Sequence, residues 1–201
     1  MIEIGPSAFF DPEKHAYFYQ GKRVPSFSWV VRACGLVNDQ YYTEYGRMRG
    51  AAVHRACELI VKGTLDWQTV DKRIFGYVEA FQRACEELKF TPDPKFVEMP
   101  QINPVYLYGI KPDHPGQFRD RKKGLFELKT GHIPKTARLQ TAAQALTLWP
   151  DSWMTARRMA VELKEDGTWA KQEYENTDDV DEFLAHLGSA VAKLNDNYIS
   201  L

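Results

Sequence analysis

Glu127 and Lys129 stand two residues apart in the stretch Gly124-Leu125-Phe126-Glu127-Leu128-Lys129-Thr130-Gly131. The stretch reads as a buried strand, Leu125 to Lys129, ending in a Thr-Gly turn. Side chains alternate along a strand, so residues two apart share a face. A carboxylate and an ammonium on an otherwise apolar face are expensive unless something compensates for their desolvation. A divalent cation is one such compensator, held by hard oxygen ligands where two carboxylates converge. Asp113, in Ile110-Lys111-Pro112-Asp113, supplies the second carboxylate. Two adjacent strands would bring Asp113 and Glu127 together, with Lys129 beside them. The backbone carbonyl of Leu128 is a natural extra oxygen ligand.

These residue types suit phosphodiester hydrolysis. That reaction needs a metal to polarise the phosphoryl oxygen and to lower the pKa of a bound water. It also gains from a cation near the attacking water or the developing negative charge. Asp113 and Glu127 would form the metal site and Lys129 the cation. Asp120, seven residues before Glu127 in a charged loop, is the rival for the upstream carboxylate.

The elements that must position these groups follow from periodicity and breakers. Residues 14–24 read as a hairpin turning at Gln20-Gly21. A short helix follows, with Ser26 as N-cap and Gly35 just past its end. Residues 40–62 form a second helical region that stops at Gly63. Residues 66–89 form a third, with apolar residues at three- and four-residue steps from Trp67 to Leu88. Residues 95–111 read as two strands and 112–124 as a polar loop rich in turn formers. Residues 134–148 read as a helix with Pro134 in its first turn. A hairpin over 153–164 and 168–174 turns at Glu165-Asp166-Gly167. An acidic first turn opens the closing helix over 178–197. The expected architecture is a single α/β (α+β) domain with a central mixed sheet flanked by helices. Its helical part spans about 26–90, its sheet core about 95–175, and its last helix about 178–197.

The Pro112-Asp113 and Glu127-Leu128-Lys129 pair resembles the PD-(D/E)xK nuclease superfamily. Two further stretches resemble its RecB-like, phage-exonuclease branch. Upstream, Gly50-Ala51-Ala52-Val53-His54-Arg55-Ala56-Cys57-Glu58 resembles a GxxxHxxxE helix. Downstream, Leu139-Gln140-Thr141-Ala142-Ala143-Gln144 resembles a glutamine helix. Val24-Pro25-Ser26 before a short helix also resembles phage members, so the resemblance spans about residues 24–148. It implies a restriction-endonuclease-like core and a Mg²⁺- or Mn²⁺-dependent deoxyribonuclease. It favours an exonuclease of phage or bacterial recombination, repair or replication. By the same resemblance His54, Asp113 and Glu127 would be metal ligands and Lys129 the catalytic lysine. Gln140 would orient near the lysine or contact DNA, and Glu58 would orient His54 or serve as a further acid. Two departures touch the backbone and the DNA contacts. Gln144 stands where the family often has an aromatic residue, and Gly109 lies four residues before Asp113 rather than three. The alternatives are a structure-specific endonuclease and a non-catalytic, nuclease-like DNA-binding subunit.

Bulk properties bound the rest. The chain has 201 residues, 44% hydrophobic content and net charge −1, enough for one sizeable core. It is not globally basic, so DNA contact would come from local cations. Arg119, Arg121, Lys122 and Lys123 form a compact basic cluster in the charged loop, and Arg47 and Arg49 lie near a helix start. Each group is either a phosphate contact or an ordinary solvated face. Three cysteines, Cys34, Cys57 and Cys85, cannot supply a four-cysteine iron–sulfur cluster within one chain. No apolar run is long enough to span a bilayer and the first residues do not read as a signal peptide, so the expected location is the cytoplasm. The expected partners are DNA, a single-strand annealing or other recombination protein, and further copies of the chain.

Overall fold

The computed structural model describes residues 1–37, 43–196 and 199–201. These residues form an α+β arrangement with a mixed sheet and five helices. Strands β1 (Ile2–Gly5), β2 (Ala8–Asp11), β3 (Ala16–Tyr19) and β4 (Lys22–Val24) make an antiparallel meander. The hairpin expected at Gln20-Gly21 is present, with both residues at positive φ, as a tight two-residue turn requires. The two strands before it were not anticipated. Helix α1 (Phe27–Ala33) begins at Ser26, whose side chain accepts from the Trp29 amide, and Gly35 follows it at φ 69°.

Helix α2 (Glu44–Val61) buries Val53, Ala56 and Cys57. The expected start at residue 40 lies outside the described residues. The third helical region divides: residues 67–69 form a 3-10 turn, and α3 (Lys72–Glu87) starts after Asp71, whose carboxylate accepts from the Arg73 amide. Helix α3 sets Ile74, Val78 and Phe81 into the main apolar cluster with Cys57 of α2.

The central sheet has the order β11-β10-β9-β8-β5. It contains β5 (Phe90–Pro92), β8 (His114–Phe118), β9 (Lys123–Lys129), β10 (Arg157–Leu163) and β11 (Trp169–Tyr174). Only β9 and β10 pair in parallel, and α4 (Ala137–Leu148) lies between them in sequence. Parallel neighbours need such a crossover. Strands β6 (Gln101–Asn103) and β7 (Tyr108–Ile110) form a separate two-stranded ribbon. The last helix, α5 (Asp178–Asn195), packs on α4 through Val180 and Leu184; the expected end at Asn197 lies outside the described residues.

The reading of residues 112–124 as a loop is corrected: His114–Phe118 is a strand between β5 and β9. Pro115 and Gly116 suggested a turn. Gly116 instead serves a close approach, because a Cβ there would lie 2.2 Å from the Thr91 carbonyl oxygen. The gain of a strand here matters for function, since it fixes which end of the hairpin holds Asp113.

Candidate metal centre and lysine site

Strand β9 is buried on both faces from Gly124 to Leu128. Phe126 and Leu128 enter the apolar cluster formed with α2 and α3. The alternate residues, Glu127 and Lys129, point to α4 instead. The pairing of His114 with Phe126 carries Asp113 level with Glu127, one residue before β8 begins. The Asp113 side chain turns back onto the strand, and its Oδ2 accepts the Leu128 N–H at 2.7 Å. That amide contact holds Asp113 at the centre of the site.

Two groups of side chains meet there. In the first, His54 Nδ1 lies 3.0 Å from Glu98 Oε1 and 3.4 Å from Asp113 Oδ1. One ligand atom from each of His54, Glu98 and Asp113 falls within 4.8 Å of the others. Glu98 also pairs with Lys111. In the second, the Lys129 ammonium donates to Glu127 Oε1 at 2.6 Å and approaches Gln140 Oε1 at 3.5 Å. Glu127 Oε2 accepts from Gln144 Nε2 at 2.9 Å. Helix α4 and strand β9 match in step. Four helical residues rise about 6 Å and two strand residues about 6.6 Å, so Gln140 meets Lys129 where Gln144 meets Glu127.

Burial and mutual charge set the protonation states. Burial raises the Glu127 carboxyl, and the Asp113 charge adds to the rise, while Lys129 and Gln144 oppose it; the net shift is strongly upward. Burial also acts to raise Asp113, but His54 and Lys129 overcome it and hold that carboxyl far below its usual range. For His54 burial favours the neutral ring, and the Asp113 and Glu98 carboxylates outweigh it, so the ring stays protonated well above its ordinary value. The site thus carries one firmly ionised carboxylate, one that tends to keep its proton, and an imidazolium between two acids.

Asp113, Glu127, Lys129, His54 and Gln140 are brought together. Others expected at the site lie elsewhere. Glu58 does not meet His54: its two carboxylate oxygens are taken by Arg55 and Lys62, each at 2.6 Å, three residues before and four after it on α2. The basic cluster of Arg119, Arg121, Lys122 and Lys123 is not beside the site. It occupies the β8–β9 turn and the first residue of β9, and four strand steps carry the chain about 13 Å from Lys123 to Glu127. Asp120 belongs to that turn, its Oδ1 accepting the Lys122 amide at 3.1 Å. Arg49 is closer. Its guanidinium donates to the Thr130 carbonyl at 2.8 Å and lies over the Tyr77 ring, which ties α2 to the end of β9. Arg47 is exposed.

Glu98 and Gln144 were missed as site residues. Glu98 sits in a turn at φ 54°, where no periodicity marks it; its amide is held by the carbonyls of Pro112 and Asp113 at 3.1 Å. Gln144 carried a signal, being four residues after Gln140 and so on the same helix face. Gly109 has a local reason as well. A Cβ there would lie 2.2 Å from the Tyr17 ring, so the chain leading to Asp113 passes tightly under the N-terminal meander.

The donor set fits a hard divalent cation. One imidazole nitrogen and the carboxylate oxygens of Glu98 and Asp113 could hold a divalent cation, and the acidic groups outnumber the permanent cations that touch them. Comparison of the sequence with models of known protein families finds no match, and comparison with curated proteins finds no relative. Among the described residues, no helix is long and apolar enough to cross a membrane.

Proposed function

We propose that the chain is a Mg²⁺- or Mn²⁺-dependent DNA nuclease with a restriction-endonuclease-like core. The observation that carries this is the meeting, at one end of β9, of a ligand-sized His54–Glu98–Asp113 cluster with the Glu127–Lys129 pair. The residues come from α2, the turn before β6, the residue before β8, and β9. The mixed sheet, flanked by α3 and α4 with the Glu127 strand inside it, supports the same reading.

His54, Asp113 and Glu98 would hold the cation, with Glu127 joining once Lys129 yields its Oε1. The cation would supply polarisation of the phosphoryl oxygen and acidification of a bound water. Lys129 sits within hydrogen-bond reach of Glu127 and near Gln140. Its ammonium is held there, partly exposed, to face charge that develops on a phosphate. Gln140 orients that ammonium. Burial and the Asp113 charge push the Glu127 carboxyl up, so a bound cation would favour its deprotonated form. The sequence resemblance favours exonucleolytic action.

Incubation of the purified protein with end-labelled linear, nicked and circular DNA tests this. Cleavage is expected only with Mg²⁺ or Mn²⁺, and Lys129→Ala should reduce it by about 10²–10³-fold, the usual loss for one donor to transition-state charge. Product lengths separate exonuclease from endonuclease.

A further inference from the structure

Gln144 is 1% exposed in a stretch of α4 whose chain neighbours Ala142, Ala143, Ala145 and Leu146 are also buried. Its Nε2 donates to Glu127 Oε2, whereas its Oε1 is buried without a partner. With Glu127 ionised, as a cation ligand must be, the reverse amide orientation would set an oxygen against the carboxylate, which supports this assignment. As a core filler the amide is a poor choice. An unpaired buried polar atom is costly, and an apolar side chain of similar size would avoid the penalty. The other Glu127 oxygen is held by Lys129, whose ammonium is partly exposed and sits on a long flexible stem.

We propose that Gln144 is the positioning residue for Glu127: it pins Oε2 and leaves Oε1 as the one oxygen exchanged between Lys129 and a divalent cation. This rests on the cation-dependent nuclease reading above. The α4–β9 step makes the device rigid. Gln144 holds the carboxylate from a buried helix turn, and Gln140, one turn earlier, meets the lysine that must move. Glu127 would then enter and leave cation contact by exchange at one oxygen, with no rotation of its side chain.

The test compares wild type with Gln144→Met, which keeps the length and removes the donor. Calorimetric titration with Mn²⁺ alone, without DNA, should show binding weakened about 10–100-fold, the usual cost of losing a group that orients a ligand. The melting temperature should fall only modestly, because the loss of a donor to Glu127 Oε2 is partly offset by removal of the unpaired Gln144 oxygen. Turnover should fall while KM for DNA is unchanged. Gln144→Asn, too short to reach Glu127, carries the same expectation if the Met variant does not fold. Mn²⁺ affinity and turnover within twofold of wild type in either folded variant would overturn the role of Gln144 and leave the nuclease reading intact. A folded wild type that neither binds Mn²⁺ nor cleaves DNA would overturn both.

Discussion

Two buried charge clusters flank α4 and differ in how they are neutralised. On the α5 side, Arg158 donates to Asp179 at 2.9 Å, and both are nearly inaccessible. Arg138 bridges Asp179 and Glu182, with His186 farther out at 3.8 Å from Glu182. Two guanidiniums that never lose their protons face two acids, and the Arg158 fork is completed by the carbonyls of Arg138 and Asn176. On the β9 side, Glu98, Asp113 and Glu127 face Lys111, Lys129 and a histidine. The charge balance there depends on protons held by His54 and Glu127 and on two lysines that are partly exposed. The Arg158–Asp179 pair is closed and permanently charged, with Arg138 and Glu182 at its partly exposed rim. The second cluster is balanced by groups that can leave, and a cation can replace them.

The largest effects should come from opening the second cluster. Asp113→Asn should lower cleavage by more than about 100-fold, beyond the usual loss for a merely orienting group. Its melting temperature should fall as well, because His54 and Lys129 hold the Asp113 carboxyl ionised far below its usual range and that charge therefore stabilises the fold. Steady-state kinetics and thermal melts on the same preparation check both halves. A destabilised Asp113→Asn that still cleaves as wild type does would reverse the comparison.

Next in size is the closed cluster. Asp179→Ala leaves Arg158 buried without its anion and should cost about 3–5 kcal/mol in denaturant unfolding. Activity per folded molecule should be unchanged, and a matching loss of turnover would show that the two clusters are coupled through α4.

A smaller effect should appear with pH. Glu127 has a raised folded pKa, so the cation-free protein binds a proton there that the unfolded chain has lost. Its contribution is fully present below the unfolded value of about 4.5 and disappears as pH rises toward about 7. His54 acts in the same direction, losing its contribution as pH rises from 6.5 through its raised folded value. The melting temperature in EDTA should therefore fall between pH 6 and pH 9, by about 2–4 °C for each kcal/mol lost. Saturating Mn²⁺ should flatten or invert that slope, since it favours the deprotonated ligands. A cation-free melting temperature that rises over this window would contradict the charge assignment.

The smallest effect should be at the far end of β8–β9. Asp120→Asn should change cleavage by less than about twofold, because its carboxylate only caps the turn that precedes β9, at the far end of that strand from Glu127. Abolition of activity by Asp120→Asn with Asp113→Asn active would exchange their roles.

The legible parts of this site were those with period or spacing. The two-residue step of Glu127 and Lys129 read directly onto a shared strand face, and the helix carrying His54 and the helix carrying Gln140 both appear. What stayed hidden depends on approach between segments distant in sequence. Strand β8 was masked by Pro115 and Gly116, although Gly116 is there to let the Thr91 backbone pass. Glu98 lies in an aperiodic turn fixed by Pro112 and Asp113, a contact no local pattern encodes. Glu58 shares a helix face with His54, yet Arg55 and Lys62 claim it from the same helix. The basic turn seemed close to the site because seven residues in sequence look short; extended as a strand, they carry it to the other end of the sheet.

The central claim is that one end of β9 forms a cation-dependent DNA-cleaving site worked by Lys129. Its most direct test is digestion of end-labelled linear DNA by wild type and Lys129→Ala, each with Mn²⁺ and with excess EDTA. Cleavage by wild type with Mn²⁺ is expected, with its loss in EDTA and about 10²–10³-fold slower cleavage by the variant. Undiminished cleavage in EDTA, or an equally active Lys129→Ala protein, would contradict the claim.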